Sequence, residues 1–288
     1  MLPTGDVVGG GPANTAKALA RMGYDVDFID GISSDANGVN SRKELERDGV
    51  DLALCLKSDK PTCTATLTLD SNGGADYEFL IEGTATYDFN ASWLPDPSRL
   101  KPSVLHIGTL ATIIEPGATA LFDWAVGVGE FAPIIFDPNI RPSVMGDRVT
   151  YVAAVEKWVS IASIVKVSDD DIKWLYPDET LDEVALRWIA QGVSCVVVTR
   201  GAHGLIGFTE HGMEEVDGAK ITVVDTVGAG DTVGAIVVEG VIAHSVAGLQ
   251  GHVLNEVLHK AAIAAGITCS RAGAQPPHKH ELIEAMGQ

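Results

Sequence analysis

The chain is poor in the features that would tie it to a disulfide framework, to nucleic acid or to a membrane. It has only 4 cysteines in 288 residues, at Cys55, Cys63, Cys195 and Cys269. None forms a Cys-x-x-Cys pair, so no disulfide scaffold and no structural zinc is implied, and the thiols read as reduced and packed. Basic residues are scarce: 20 Lys and Arg stand against 39 Asp and Glu, a formal net charge of −19. That excludes a broad basic surface for nucleic acid. It also means that an anionic ligand must find a local positive pocket against a repulsive global field. No apolar run suggests a membrane span, and no charged-then-apolar leader opens the chain. A cytoplasmic protein without nucleic-acid or membrane partners is therefore expected. Two common phosphate-binding signatures are missing as well. No Lys-Ser/Thr pair follows a glycine loop, and no glycine spacing matches the dinucleotide fingerprint.

What is present is a chain 46% hydrophobic, enough for the core of one large α/β domain. From Val104 onward the pattern alternates. Strands are predicted at Val104–Ile107, Ile134–Phe136, Ile164–Val167 and Cys195–Val198. Helices are predicted at Ala118–Val128, Tyr151–Ala162, Asp169–Leu175 and Leu181–Gln191. Such alternation predicts a doubly wound parallel sheet with helices on both faces and ligands at the carboxyl ends of the strands. The N-terminal part predicts a helix over Ala13–Met22 stopped by Gly23, strands at Val26–Ile29 and Leu52–Leu56, and a helix over Ser41–Asp48. Thr62–Leu69 alternates Thr with apolar residues, Ser71-Asn72-Gly73-Gly74 turns, and Tyr77–Ile81 returns. This hairpin predicts a small antiparallel sheet apart from the main one.

The most informative stretch is Asp225-Thr226-Val227-Gly228-Ala229-Gly230-Asp231-Thr232. It follows a β-branched run (Ile221, Val223, Val224) that reads as a strand, and it precedes an apolar helix from Val233. The first amides of a helix lack intrahelical partners and, with the dipole, favour an anion. Gly228 and Gly230 allow close backbone approach. A carboxylate at Asp231 would repel a resting phosphate, but it makes sense as a base for an attacking hydroxyl. Four further stretches stand out: Gly9-Gly10-Gly11-Pro12-Ala13-Asn14, Phe136-Asp137-Pro138-Asn139-Ile140-Arg141, Lys166-Val167-Ser168-Asp169-Asp170-Asp171, and Thr199-Arg200-Gly201-Ala202-His203-Gly204. Asn14 and Asn139 can bind hydroxyls, and Arg141 can fork onto phosphate oxygens. Taken singly, each has a plainer reading: a turn before a helix, an Asp N-cap, or acids complementing a helix dipole. The histidines His106, His203, His244, His252 and His259 show no ligand spacing and read as structural or exposed.

Together and in this order, the stretches closely resemble the ribokinase-like (PfkB) family of carbohydrate kinases. Gly-Gly-Gly-Pro-Ala-Asn is similar to its N-terminal signature and Asp-Thr-x-Gly-Ala-Gly-Asp to its C-terminal one. Asp-Pro-Asn-x-Arg and Lys-Val-Ser-Asp are similar to fructokinase-like members. The resemblance implies a ribokinase-like fold with a small β lid from residues 1–8 and 60–86 on a core of 9–59 and 87–288. It implies an ATP-dependent sugar kinase with magnesium and a potassium-type cation. Fructose is the first expectation; 2-keto-3-deoxygluconate, ribose, a nucleoside, or a silent binding protein of the same fold are alternatives. It implies that Asp231 is the base, that Gly228, Ala229 and Gly230 stabilise the phosphoryl group, and that Arg141 assists. Gly10, Gly11, Asn14 and Asn139 would bind the sugar. Ser168, Thr199, Gly201, Gly204 and the glycine turn would bind the nucleotide. Asp171 would reach magnesium through water, with Asp in place of the family's Glu. Asp225, Val227, Thr268, Arg271 and Gly273 would hold the monovalent cation. A dimer contact through the lid is a further implication. Relatives carry a core strand, ending in a sugar-binding Asp, before the Gly-Gly-x-Pro-Ala-Asn motif. Only Met1 to Val8 stand there, with Asp6 the single acid. At about 3.3 Å per residue they are too few for that strand and a lid strand. The expectation is a sequence that starts inside a longer protein, or an impaired version.

Overall fold

The structure is a computed structural model and describes residues 8–69, 75–144 and 146–287. Its helices are α1 (Gly11–Arg21), α2 (Ala36–Arg47), α3 (Pro97–Leu100), α4 (Gly117–Gly129), α5 (Arg148–Val159), α6 (Asp169–Leu175), α7 (Leu181–Ala190), α8 (Ala229–Gly248), α9 (Gly251–Cys269) and α10 (Lys279–Met286). Its strands are β1 (Gly31–Ser33), β2 (Leu56–Ser58), β3 (Thr64–Leu69), β4 (Ala75–Leu80), β5 (Leu105–Gly108), β6 (Ile134–Asp137), β7 (Ile164–Ser168), β8 (Cys195–Thr199), β9 (Leu205–Thr209) and β10 (Gly212–Val216).

The main sheet has six strands in the order β10-β9-β8-β7-β6-β5. The β5 to β8 run is parallel, as the alternating pattern predicts. The sheet as a whole is mixed, because β9 and β10 add as an antiparallel hairpin. Period-two alternation sorts the parallel strands between two apolar layers. Phe136, Val165, Val196 and Val198 join the layer that holds Trp158 and Trp188. Ile135, Ile164, Cys195 and Val197 face the layer built from α1, α8 and α9. The helix α8 is apolar enough by composition to cross a membrane, with mean hydropathy 1.2. Here it is an inner helix, packed on α1, α9 and β7, and 56% of the apolar stretch is buried.

The antiparallel β3–β4 pair stands as a separate two-stranded sheet, while the Ser71–Gly74 turn and residues 1–7 lie outside the described residues. Two sequence expectations are displaced. Val26–Ile29 contributes only an isolated bridge, Asp27 to Asp51, and the paired strands begin later, at Gly31 and Leu56. β1 and β2 form their own parallel pair, and among the described residues β5 pairs only with β6. A third expectation is corrected. The Ile221–Val224 run is not a strand, and Val223 and Val224 are exposed. No neighbouring strand offers it a ladder among the described residues; instead the Val224 amide donates to the Cys269 carbonyl at 2.8 Å.

Candidate active site

The start of α8 lies against the start of α1 and the carboxyl ends of β6 and β7. Gly228 forms the N-cap of α8 with φ +80, a conformation that L side chains resist. A Cβ at this position would also lie 2.7 Å from the Ala274 side chain, so glycine is required twice over. Thr232 closes the turn by donating to the Gly228 carbonyl at 2.9 Å. The Gly230 and Asp231 amides find no acceptor among the described residues, as befits the first turn of a helix.

Asp231 is buried, and its Oδ2 accepts a hydrogen bond from Asn14 Nδ2 at 2.8 Å. Thr15 Oγ1 donates to the Asp231 carbonyl at 3.2 Å. A Cβ built on Gly11 would lie 2.8 Å from Thr109 Cγ2, 2.9 Å from Asn139 Nδ2 and 3.1 Å from Asp231 Oδ1. Four chain segments therefore converge on one point, and only glycine at position 11 permits it. Burial pushes the Asp231 carboxyl up to about 6; the Lys166 charge opposes this, Asp137 adds to it, and the Asn14 hydrogen bond and Arg141 oppose it further. At neutral pH the group is thus mostly ionised but close to its midpoint, as a general base requires.

Lys166 and Asp137 lie within the sequence motifs, which alone assign them no role. They form a buried ion pair, Nζ to Oδ2 at 2.9 Å. Burial alone would lower the Lys166 ammonium, but Asp137, Asp231 and Asp171 hold it above its ordinary range. His106, read as structural or exposed, is also here: burial pushes its imidazole down to about 4, so it is neutral. Three of the five buried side-chain atoms that lack a partner among the described residues lie here: Asn14 Oδ1, His106 Nε2 and Asp137 Oδ1. The signal for Lys166 was available in sequence, as a cation interrupting the apolar run Ile164–Val167.

The remaining candidates are placed as follows. Gly10 is exposed, with φ +101, at the N-cap of α1. Asn139 has φ +42 in the loop after β6. Arg141 is exposed and turns back onto its own chain, donating to the Ile140 carbonyl at 2.9 Å. Ser168 and Asp171 form the capping box of α6. Asp171 Oδ1 also accepts the Ile140 amide at 3.1 Å, and burial raises its carboxyl. Each Asp171 oxygen keeps a further lone pair, so a hydrated cation can still be held there. Thr199 ends β8, and Gly201 (φ +51) and Gly204 (φ +83) shape the loop that follows. Asp225 joins the glycine turn to the C-terminal loop, accepting the Val227 amide at 3.0 Å and the Gly273 amide at 2.8 Å. Thr268 Oγ1 shares a hydrogen bond with Thr232 Oγ1 at 2.9 Å. Arg271 pairs with Glu281 at 2.6 Å, leaving only its carbonyl for a ligand. The Thr268 carbonyl accepts the Arg271 amide at 3.1 Å and the Gly273 carbonyl accepts the Gln275 amide at 2.9 Å, each keeping a second lone pair.

With this geometry in view, similarity to known proteins is informative. The model of the pfkB family carbohydrate kinases matches residues 4–281. A fructokinase of Rhizobium leguminosarum bv. trifolii is 37% identical over 227 residues, 78% of this chain and 68% of that protein. Among solved structures, a fructokinase from Xylella fastidiosa with bound ATP superposes with a TM-score of 0.86 at 23% identity, covering 97% of this chain and 91% of that one. A fructokinase double mutant from Vibrio cholerae O395, bound to fructose, ADP and potassium, gives 0.82 at 23% identity, over 96% and 89% of the two chains.

Proposed function

The chain belongs to the pfkB family of carbohydrate kinases, phosphotransferases with an alcohol acceptor and a ribokinase-like fold, and from that premise we propose that it transfers the γ-phosphoryl group of ATP to a hydroxyl of fructose. The observation that carries this reading is the buried Asp231 carboxylate, held by Asn14 at 2.8 Å beside the unpaired first-turn amides of α8. Asp231 takes the proton of the attacking hydroxyl. The Gly228-Ala229-Gly230 turn receives the charge of the transferring group, and Arg141 swings from its carbonyl contact to assist. Such transfer passes through a loose transition state in which positioning and electrostatics dominate.

Gly10, Gly11, Asn14 and Asn139 hold the sugar, and the unpartnered Asn14 Oδ1 awaits one of its hydroxyls. Ser168, Thr199, Gly201 and Gly204 line the nucleotide path. Asp171 would hold magnesium through water, and the ion would supply charge neutralisation at the phosphates. The Val227, Thr268, Arg271 and Gly273 carbonyls with Asp225 would hold a monovalent cation; the Vibrio cholerae fructokinase structure contains bound potassium. Fructose is favoured by the 37% identical fructokinase and by the Asp137-Pro138-Asn139-x-Arg141 stretch. The test is ATP consumption with fructose, ribose, 2-keto-3-deoxygluconate and adenosine, with the product identified by mass. Fructose should give the highest kcat/KM. A preference for another acceptor would overturn the substrate, and no turnover with any would leave a binding protein.

A further inference from the structure

Strands β5, β6 and β7 each present a polar side chain where their alternation calls for an apolar one. Ile135 and Ile164 face the α1/α8 layer; two residues further along the same strands, Asp137 and Lys166 face the same way. His106, opposite Ile135 in register, completes the row. A cation replacing a core aliphatic is costly unless paired, and Lys166 is paired, to Asp137. A purely structural pair would need no third charge. Here, however, a Cβ built on Gly230 would lie 2.9 Å from Lys166 Nζ, so the ammonium lies directly under the glycine turn.

We propose that Lys166 is a positioning residue of the phosphoryl-transfer site: clamped by Asp137 and lodged beneath Gly230, its ammonium keeps Asp231 a carboxylate and sets positive charge behind the turn. The role presupposes that Asp231 is the base, and so rests on the functional reading above. The groups facing Asp231 are Asn14 from α1, Asp137 from β6, Lys166 from β7 and Arg141 from the loop after β6. Asp171 from α6 faces the lysine, and His106 from β5 is neutral. Of the charges acting on Asp231, that of Lys166 has the largest effect, and Lys166 is buried. Arg141 is exposed and screened by solvent.

The test uses Lys166→Met and the double variant Lys166→Met with Asp137→Asn. The double variant removes both members of the pair, so no orphaned carboxylate threatens the fold. Two quantities are read. One is the titration of the Asp231 carboxyl by carbon-13 NMR in the free protein, assigned with Asp231→Asn. The other is the acid limb of kcat/KM. In Lys166→Met the Asp231 midpoint should move to higher pH, and the double variant should titrate above Asp137→Asn alone, since each comparison removes only the Lys166 charge. Each unit of movement lowers the rate on the acid limb about tenfold while the alkaline plateau changes less. A folded variant whose Asp231 midpoint equals that of its counterpart retaining Lys166 would overturn the proposal, even if stability fell. The titration needs no turnover. A wild-type protein that phosphorylates no sugar would therefore sink the functional reading separately from the electrostatic one.

Discussion

Replacing Asp231 with Asn should make the protein more stable and nearly inactive at once. The carboxyl is only 7% exposed, and burial raises it from 3.8 to about 6. Because the folded value lies above the unfolded one, the favourable contribution is fully present below about 3.8 and is lost as pH rises through about 6. Above that window the native state holds a buried charge at a cost of roughly 3 kcal/mol, two units at about 1.4 kcal/mol each. Asn keeps the shape and a polar partner for Asn14, and Lys166 keeps Asp137, so neither neighbour is stranded. Urea unfolding of both proteins from pH 4 to pH 8 reads the difference, since the other carboxylates cancel in the comparison. The variant should gain about 3 kcal/mol on the wild type across that range. Its turnover should fall by roughly 10²–10⁴, the usual worth of a general base. Parallel stability curves would show that Asp231 carries no buried charge. Normal turnover would remove it as the base.

Two other outcomes are expected. Potassium should raise activity over tetramethylammonium if the Asp225 loop holds a cation that shapes the amide turn; equal initial rates in the two buffers would count against that loop. Gly11→Ala should raise the KM for sugar at least tenfold, because its Cβ would press on Asn139 and Asp231 at 2.9 and 3.1 Å. Nucleotide affinity measured by calorimetry should stay unchanged, and a weakened nucleotide site instead would place Gly11 elsewhere in the chemistry.

Much of the α/β core was legible because two periods alternate cleanly there. Asp169–Leu175 is a helix with the residues expected, and the strands from Ile134 to Thr199 differ from expectation by one residue at an end. Legibility failed where local preference and pairing part company. Ile221, Val223 and Val224 are strong strand formers, yet they pair with no strand among the described residues. Val26–Ile29 is apolar enough to pair, but its register with Leu52–Leu56 begins later in both segments. The β9–β10 hairpin escaped the sequence reading altogether. In the site, the glycine turns, Asn14, Asn139 and Asp231 were visible as motifs. Lys166, Asp137 and His106 were not assigned, since a motif shows which residues are near in sequence and not which strand faces point the same way.

The hydrogen bond between Asn14 and Asp231 joins residues 217 apart in the chain. The same helix reaches further: Lys17 donates to the Ala274 carbonyl and Arg21 to that of Pro276, across 257 and 255 residues. During synthesis at about 5–20 residues per second, Asn14 waits on the order of ten to forty seconds for Asp231 to leave the ribosome. Through that interval Lys17, which ends only 1% exposed, lacks its carbonyl partner, and the apolar side of α1 lacks the α8 surface that will cover it. Assembly of the site is therefore a late, long-range event in the life of the nascent chain, and the first appearance of activity marks the moment at which its two distant ends have met.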